Sequence, residues 1–269
     1  DNLIVSGAFT WQNNSTLALT GTTTTAGTTT LSGGSLVGGH LVNTGTLTQS
    51  SDLSARNGAT IDNAGTWNFQ GGTVSWYNGA APVYTNTGLV AVNAPGLTTG
   101  VNVRFVNTGA VAVHAGRFVM GNRYDAGMSS TTTDVLADAG GRLLIHGNFE
   151  TAASLAGDSV DFSWATGTVG GSVTATEYVQ TREGSLTVGG VYQSAHTELY
   201  YYAHLTLNGP VTSLGSANLD FNCTLTLTPA TPQTLTIPSL YLDRSSTLEG
   251  SDNLIVSGAF TWQNNSTLA

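Results

Sequence analysis

The first eighteen residues, DNLIVSGAFTWQNNSTLA from Asp1 to Ala18, recur without a change from Asp252 to Ala269, an offset of 252 − 1 = 251 residues. A closed globular domain has no use for a second copy of its own opening strands. The duplication predicts a tandem array: residues 1–251 form one unit, and residues 252–269 open the next identical unit within the same continuous domain. Units that repeat by translation bury their apolar faces on one another, so the object they build is extended.

A shorter period runs inside the long one. An aliphatic-x-Asn-x-Gly-x-apolar motif centres on Asn43, Asn63, Asn86 and Asn107, in steps of 20, 23 and 21 residues. A sister motif, apolar-x-apolar-x-Gly-x-apolar, appears at Leu3–Phe9, Leu143–Phe149, Leu186–Tyr192 and Leu205–Val211. Each motif reads as a short strand whose alternate residues point to one side. Gly and Asn read as the places where the chain bends or takes left-handed backbone angles. A unit of about 20 residues cannot bury its own apolar face, but stacked copies share one continuous core.

The fold expected is therefore all-β: a right-handed parallel β-helix, or β-solenoid, with about twelve coils of roughly 20–23 residues per long unit. At the usual strand spacing such a unit extends about 58 Å. The alternative is a pair of tandem β-sandwich domains, with Asn57-Gly58 and Asn78-Gly79 as hairpin turns. Sandwiches repeat near 100 residues, which the short period does not match. The inward ladder is assigned to Leu3, Val5, Phe9, Leu143, Ile145, Phe149, Leu186, Val188, Leu205 and Leu207. Leu17, Leu19, Leu31 and Leu36 carry the inward pattern through the Thr/Gly-rich stretch 20–39, so no linker is expected there. Ala126–Gly141 is the least patterned stretch and reads as a longer loop.

Composition narrows the function. Charged residues are 9% of the chain, against about 25% in ordinary soluble proteins. The net charge is −9 and the seven basic residues are all Arg, so there is no basic patch for nucleic acid or an anionic membrane. No apolar run approaches the roughly 20 residues that span a bilayer. Nor is a secretory signal visible, as expected of a piece cut from an array. The single cysteine, Cys223, cannot form an internal disulfide and reads as a small buried residue, on the side shared by Phe221 and Leu225.

Together the G-x-[FW]-x-W openings, N-x-G turns and L-x-[VL]-x-G strands resemble the β-solenoid repeats of giant extracellular surface and filament proteins, such as filamentous adhesins and autotransporter-type passenger stalks. The resemblance implies an extracellular or cell-surface location and a structural, non-enzymatic role in a fibre or stalk. The partner it implies is the same chain end to end through repeat junctions, with lateral copies or surface glycans as further contacts. A carbohydrate-binding adhesin passenger is the first alternative, a polysaccharide-degrading β-helix enzyme the second.

The enzyme alternative needs converging carboxylates or a metal. Asp158 and Asp161, with Glu150 upstream, come nearest, but residues three apart on a strand face opposite ways and read as solvated charge. His196, Glu198 and Tyr200 share a strand face without the spacing of a metal site. No catalytic, cofactor-binding or metal-binding residue is assigned, and no cofactor is expected. The Tyr200-Tyr201-Tyr202 run places at least one ring outward, as do some of Trp67, Trp76 and Trp164; Trp76 and Tyr200 are the candidates for stacking on sugar rings. The threonines at 23–25, 28–30, 224, 226 and 228 read as a solubilising exterior rather than an ice-binding face.

Overall fold

The computed structural model describes residues 2–18 and 20–269; Asp1, and Leu19 with the inward place expected for it, lie outside the described residues. The described residues form 32 strands and no helix. Every register described between them is parallel. The architecture is a parallel β-solenoid of about 13 turns. Sandwich sheets are antiparallel, so the alternative fold is excluded. The chain divides into two compact units, Asp1–Arg142 and Leu143–Ala269.

In the first unit, the opening strands of successive coils are Leu3–Val5, Thr22–Thr25, His40–Asn43, Thr60–Asn63, Val83–Asn86 and Arg104–Asn107. Their registers align Leu3, Thr23, Leu41, Ile61, Tyr84 and Phe105 in one inward row. Phe9, Thr29, Leu47, Trp67, Val90 and Val111 form a second. Trp67, Tyr84 and Phe105 are buried, and their rings meet successively at centroid distances of 5.2 and 5.9 Å. Period-two alternation thus becomes one core threaded by aromatic contacts. Trp67 donates from Nε1 to Gln49 Oε1 at 3.0 Å, so it is an inward and not an outward ring.

The N-x-G motif has a different basis from the one expected. Asn43, Asn63, Asn86 and Asn107 are buried and face inward. Each Nδ2 donates to the Oδ1 of the next at 2.7 Å, for the pairs 43–63, 63–86 and 86–107. Thr25 Oγ1 meets Asn43 Oδ1 at one end of this ladder, and Asn107 Nδ2 donates to Thr131 Oγ1 at the other. None of these asparagines, and none of the partner glycines, has a positive φ. The glycines are required by proximity: a Cβ on Gly45, Gly65, Gly88 or Gly109 would lie 2.1–2.2 Å from the carbonyl oxygen of the glycine one coil earlier. The motif is a corner where backbones nearly touch, roofed by a column of amides.

Two further expectations change. Thr23, Thr25 and Thr29 are buried and only their neighbours face out, because their register sets them between inward residues such as Leu3 and Leu41. A β-branched residue fits either face of a pleat. Within Ala126–Gly141, Ser129–Thr131 and Val135–Ala137 are strands, paired at Val106↔Ser130 and Val111↔Val135.

The second unit is built the same way. One inward row runs Val160, Val179, Thr197, Ala217, Leu240 and Phe260, and a parallel one Phe162, Thr181, Leu199, Leu219, Leu242 and Trp262. A third runs Leu186, Leu205, Leu225, Leu248 and Leu268. Of the assigned ladder residues, Leu143, Ile145, Phe149, Leu186, Val188, Leu205 and Leu207 are buried here. Pro238 lies inside the strand Thr234–Leu242, at a register shift between Ile237 and Ser239; a bulge is where a ladder tolerates a missing N–H.

Candidate functional site

Two surfaces stand out: the faces presented by the duplicated segment, and a row of corners on the second unit. Both copies of the segment repeat the same side-chain contacts, although Leu3–Val5 and Phe9–Trp11 are separate strands in the first and Asn253–Trp262 is a single strand in the second. Trp11 Nε1 donates to Ser15 O at 3.4 Å, and Trp262 Nε1 to Ser266 O at 2.7 Å. The Phe9–Trp11 and Phe260–Trp262 ring centroids lie 6.3 and 6.4 Å apart. The same side chains face inward: Leu3, Val5, Phe9, Trp11 and Leu17 head rows of the first unit. Their counterparts Leu254, Val256, Phe260, Trp262 and Leu268 end rows of the second.

What differs is which side is covered. Trp11 is buried under the following coil, where Gly34 has no Cβ to collide with the indole. Trp262 lies against Leu242 of the preceding coil and is 56% exposed. Leu3, assigned to the ladder, points along its inward row but is 40% exposed, and Val5 and Phe9 are half-buried, because a single coil covers them. Beside Phe260 an open hollow of about 250 Å³ is lined by Leu240, Leu248, Leu254, Val256 and Leu268.

The corners of the second unit are the other surface. Where a coil passes from one strand to the next, pairs of residues take left-handed angles: Tyr201-Tyr202 (φ 55° and 62°), Phe221-Asn222 (72° and 58°), Arg244-Ser245 (52° and 63°) and Asn264-Asn265 (54° and 61°). Trp164 and Glu183 do so singly, at 53° and 48°. Adjacent corners are joined through the backbone: Tyr202 N donates to Phe221 O at 2.9 Å, Asn222 N to Arg244 O at 2.8 Å and Ser245 N to Asn264 O at 2.9 Å. In the first unit the same kind of corner is filled as stereochemistry favours, by Gly38-Gly39 and Asn57-Gly58. Asn57-Gly58 is such a corner and not a hairpin, and Asn78-Gly79, where only Gly79 is left-handed (φ 77°), is not a hairpin either, since Asn57 N donates to Asn78 O one coil away.

The side chains at the second unit's corners pack into an outward cluster. Phe221 contacts Tyr201 and Tyr202 at centroid distances of 5.5 and 5.7 Å. The Arg182 guanidinium lies 5.8 Å from the Tyr201 ring and that of Arg244 5.7 Å from Phe221. Arg244 also approaches Asp220 at 3.5 Å, and Trp164 Nε1 donates to Glu183 Oε2 at 2.8 Å. Nearby, burial works to raise the Asp243 pKa, yet hydrogen bonds from Tyr241 and Asn264 and from the Arg244 amide outweigh it and hold the carboxyl below its ordinary value. The same bond to Asp243 raises the Tyr241 phenol.

Of the sequence candidates, Tyr200 lies beside this cluster, half-buried, in register with Arg182 and Asp220. Its hydroxyl accepts from Asn218 Nδ2 at 3.0 Å, and its pKa is raised by burial and by the Glu198 charge. Trp76 does not stand on an outer face: it is half-buried in register with the buried Ala55, with its Nε1 enclosed. Asp158 and Asp161 do face differently, but Asp161 is buried and accepts from Ser163 Oγ at 2.7 Å. The solvated reading fails for it because Ser159–Ser163 is covered on both faces. His196 is exposed and Glu198 half-exposed, accepting from Gln180 Nε2 at 3.0 Å. Among the described residues no group of three or more His, Cys, Asp or Glu is placed to hold a metal ion. Cys223 is buried, and burial pushes its thiol up to about 11. Phe221, expected on its side, instead turns outward at the corner.

The left-handed aromatics escaped sequence reasoning because the usual signal for such angles is Gly or Asn. The regular placement of Tyr201, Phe221 and Arg244 one coil apart was the available clue. Comparison with known proteins finds no matching family model, and no curated protein or solved structure matches the chain.

Proposed function

We propose that the chain is a segment of a long extracellular fibre or stalk, built from head-to-tail tandem solenoid repeats, structural rather than catalytic, whose principal partner is the next copy of itself. One observation carries this reading. The duplicated segment presents the same inward side chains twice, once with its following side covered and once with its preceding side covered. The cover missing from Phe260, Trp262 and Leu268 is what Thr29, Leu31 and Leu36 provide for Phe9, Trp11 and Leu17. A coil with sequence 19–37 following Ala269 would continue every row without a linker. Stiffness then follows from the parallel ladders and the apolar rows within each unit.

The test is length. Chains with one, two and three copies of the 251-residue unit are imaged by negative-stain electron microscopy. Each added unit is expected to lengthen a particle of constant width by about 58 Å, from the strand spacing. Particles that look like separately tumbling beads, or that gain width instead of length, refute the reading.

A further inference from the structure

The corner cluster of the second unit calls for an explanation that core packing does not supply. Tyr201 and Tyr202 are 46% and 59% exposed, so their rings are not there to fill an interior. Bulky side chains resist left-handed backbone angles, and here they take them on successive coils where Gly or Asn would fit without strain. Backbone strain of this kind concentrates at functional surfaces. We propose that the ridge formed by Tyr201, Tyr202 and Phe221, flanked by Arg182 and Arg244, is a binding site for a neutral β-linked polysaccharide lying along the stack of coils.

Five features select that ligand. Exposed aromatic rings offer apolar platforms to the C–H faces of pyranose rings. Around them, Glu183, Asp220, Arg182 and Arg244 place acceptors and donors of both signs side by side, as alternating hydroxyls require, and the Arg244 side chain, 3.5 Å from Asp220, is 55% exposed. Carboxylates on the ridge and a chain charge of −9 disfavour a sulfated or uronate-rich glycan. The ridge is also narrow, each coil contributing only a pair of corner residues, whereas a protein partner needs about 800 Å² of surface on each side. A linear polymer can follow such a ridge. The coil spacing of about 4.8 Å is close to the advance of one sugar in an extended β-linked chain, so successive corners can meet successive rings.

The experiment is calorimetric titration of the full chain with hexasaccharides of cellulose, chitin and β-mannan, with a heparin hexasaccharide alongside. The variants are Tyr202→Asn and Phe221→Asn, chosen because Asn accepts left-handed angles. At least one neutral hexasaccharide is expected to bind, each variant to weaken it tenfold or more, and the melting temperature to hold or rise. Leu97→Asn, an exposed change on the first unit, is expected to leave binding untouched. Four results would each overturn the proposal: no binding of any neutral hexasaccharide; binding of heparin alone; binding unchanged in both ridge variants; or lateral self-association in sedimentation that the ridge variants abolish, which would make the ridge a contact between copies.

Discussion

Replacing Asn63 by Leu removes the middle of the buried amide ladder while keeping a side chain of similar size. Three hydrogen bonds go: the one accepted from Asn43 Nδ2 at 2.7 Å, and those donated to Asn86 Oδ1 at 2.7 Å and to Leu89 O at 3.0 Å. At about 1 kcal/mol net apiece they contribute about 3 kcal/mol. Asn86 Oδ1 is then left in the interior without its donor, a further penalty of roughly 1–3 kcal/mol, whereas Asn43 Nδ2 keeps its bond to Thr66 O at 3.0 Å. The total is about 4–6 kcal/mol, large against the marginal stability of most domains. Changing Asn43, Asn63, Asn86 and Asn107 to Leu together should cost far less than four times as much, since donors and acceptors vanish in pairs. Urea unfolding, followed by both tryptophan fluorescence and circular dichroism, measures both variants. A loss below about 1 kcal/mol for the single change, or strict additivity across the four, would show that the amides do not act as a connected ladder.

Gly88→Ala would put a methyl group 2.1 Å from Gly65 O and should cost more than about 4 kcal/mol. Gly96→Ala, where no atom lies within 4 Å and φ is 72°, should cost only about 1–2 kcal/mol, the penalty of the left-handed angle; thermal melts compare the two. Leu205→Ala, in the buried row between Leu186 and Leu225, should lose about 2–5 kcal/mol in the same urea assay. The Cys223 thiol, raised from 9.0 to about 11, should be inert to a thiol-reactive disulfide reagent at pH 8 until the chain unfolds. Because its folded pKa is the higher one, its contribution to stability is complete below pH 9 and is lost as pH rises toward 11, which melting temperatures measured across that window would register.

The period, the parallel stacking and most of the core were legible because apolar residues recur at fixed spacing. The chemistry inside the period was not. Asn43 and Gly45 look like turn formers in one dimension, and only the register between coils makes one an internal amide and the other a point of backbone contact. Thr23 and Thr29 were misplaced for the same reason: their burial comes from Leu41 and Leu47 one coil away, not from their sequence neighbours. Ser129–Thr131 escaped notice as a strand because its buried residues, Ser129 and Thr131, are polar. Of the two candidate stacking residues, Tyr200 lies in register with Arg182 beside the corner cluster, whereas Trp76 is half-buried, and nothing in its sequence neighbourhood reveals that it pairs with the buried Ala55 one coil away.

The glycine column has a consequence for how such a chain can change length. Gly27, Gly45, Gly65, Gly88 and Gly109 are 18, 20, 23 and 21 residues apart (45 − 27, 65 − 45, 88 − 65, 109 − 88), yet each meets its predecessor at the same close distance. That edge behaves like the spine of a bound book: pages of unequal width are gathered there, and the excess shows only at the open margins, as at the exposed bend 77–80. Grafted peptides or spontaneous insertions should therefore be accommodated around Asn78 and rejected beside Gly88, and such a protein could lengthen its loops on one side without losing the alignment of its coils.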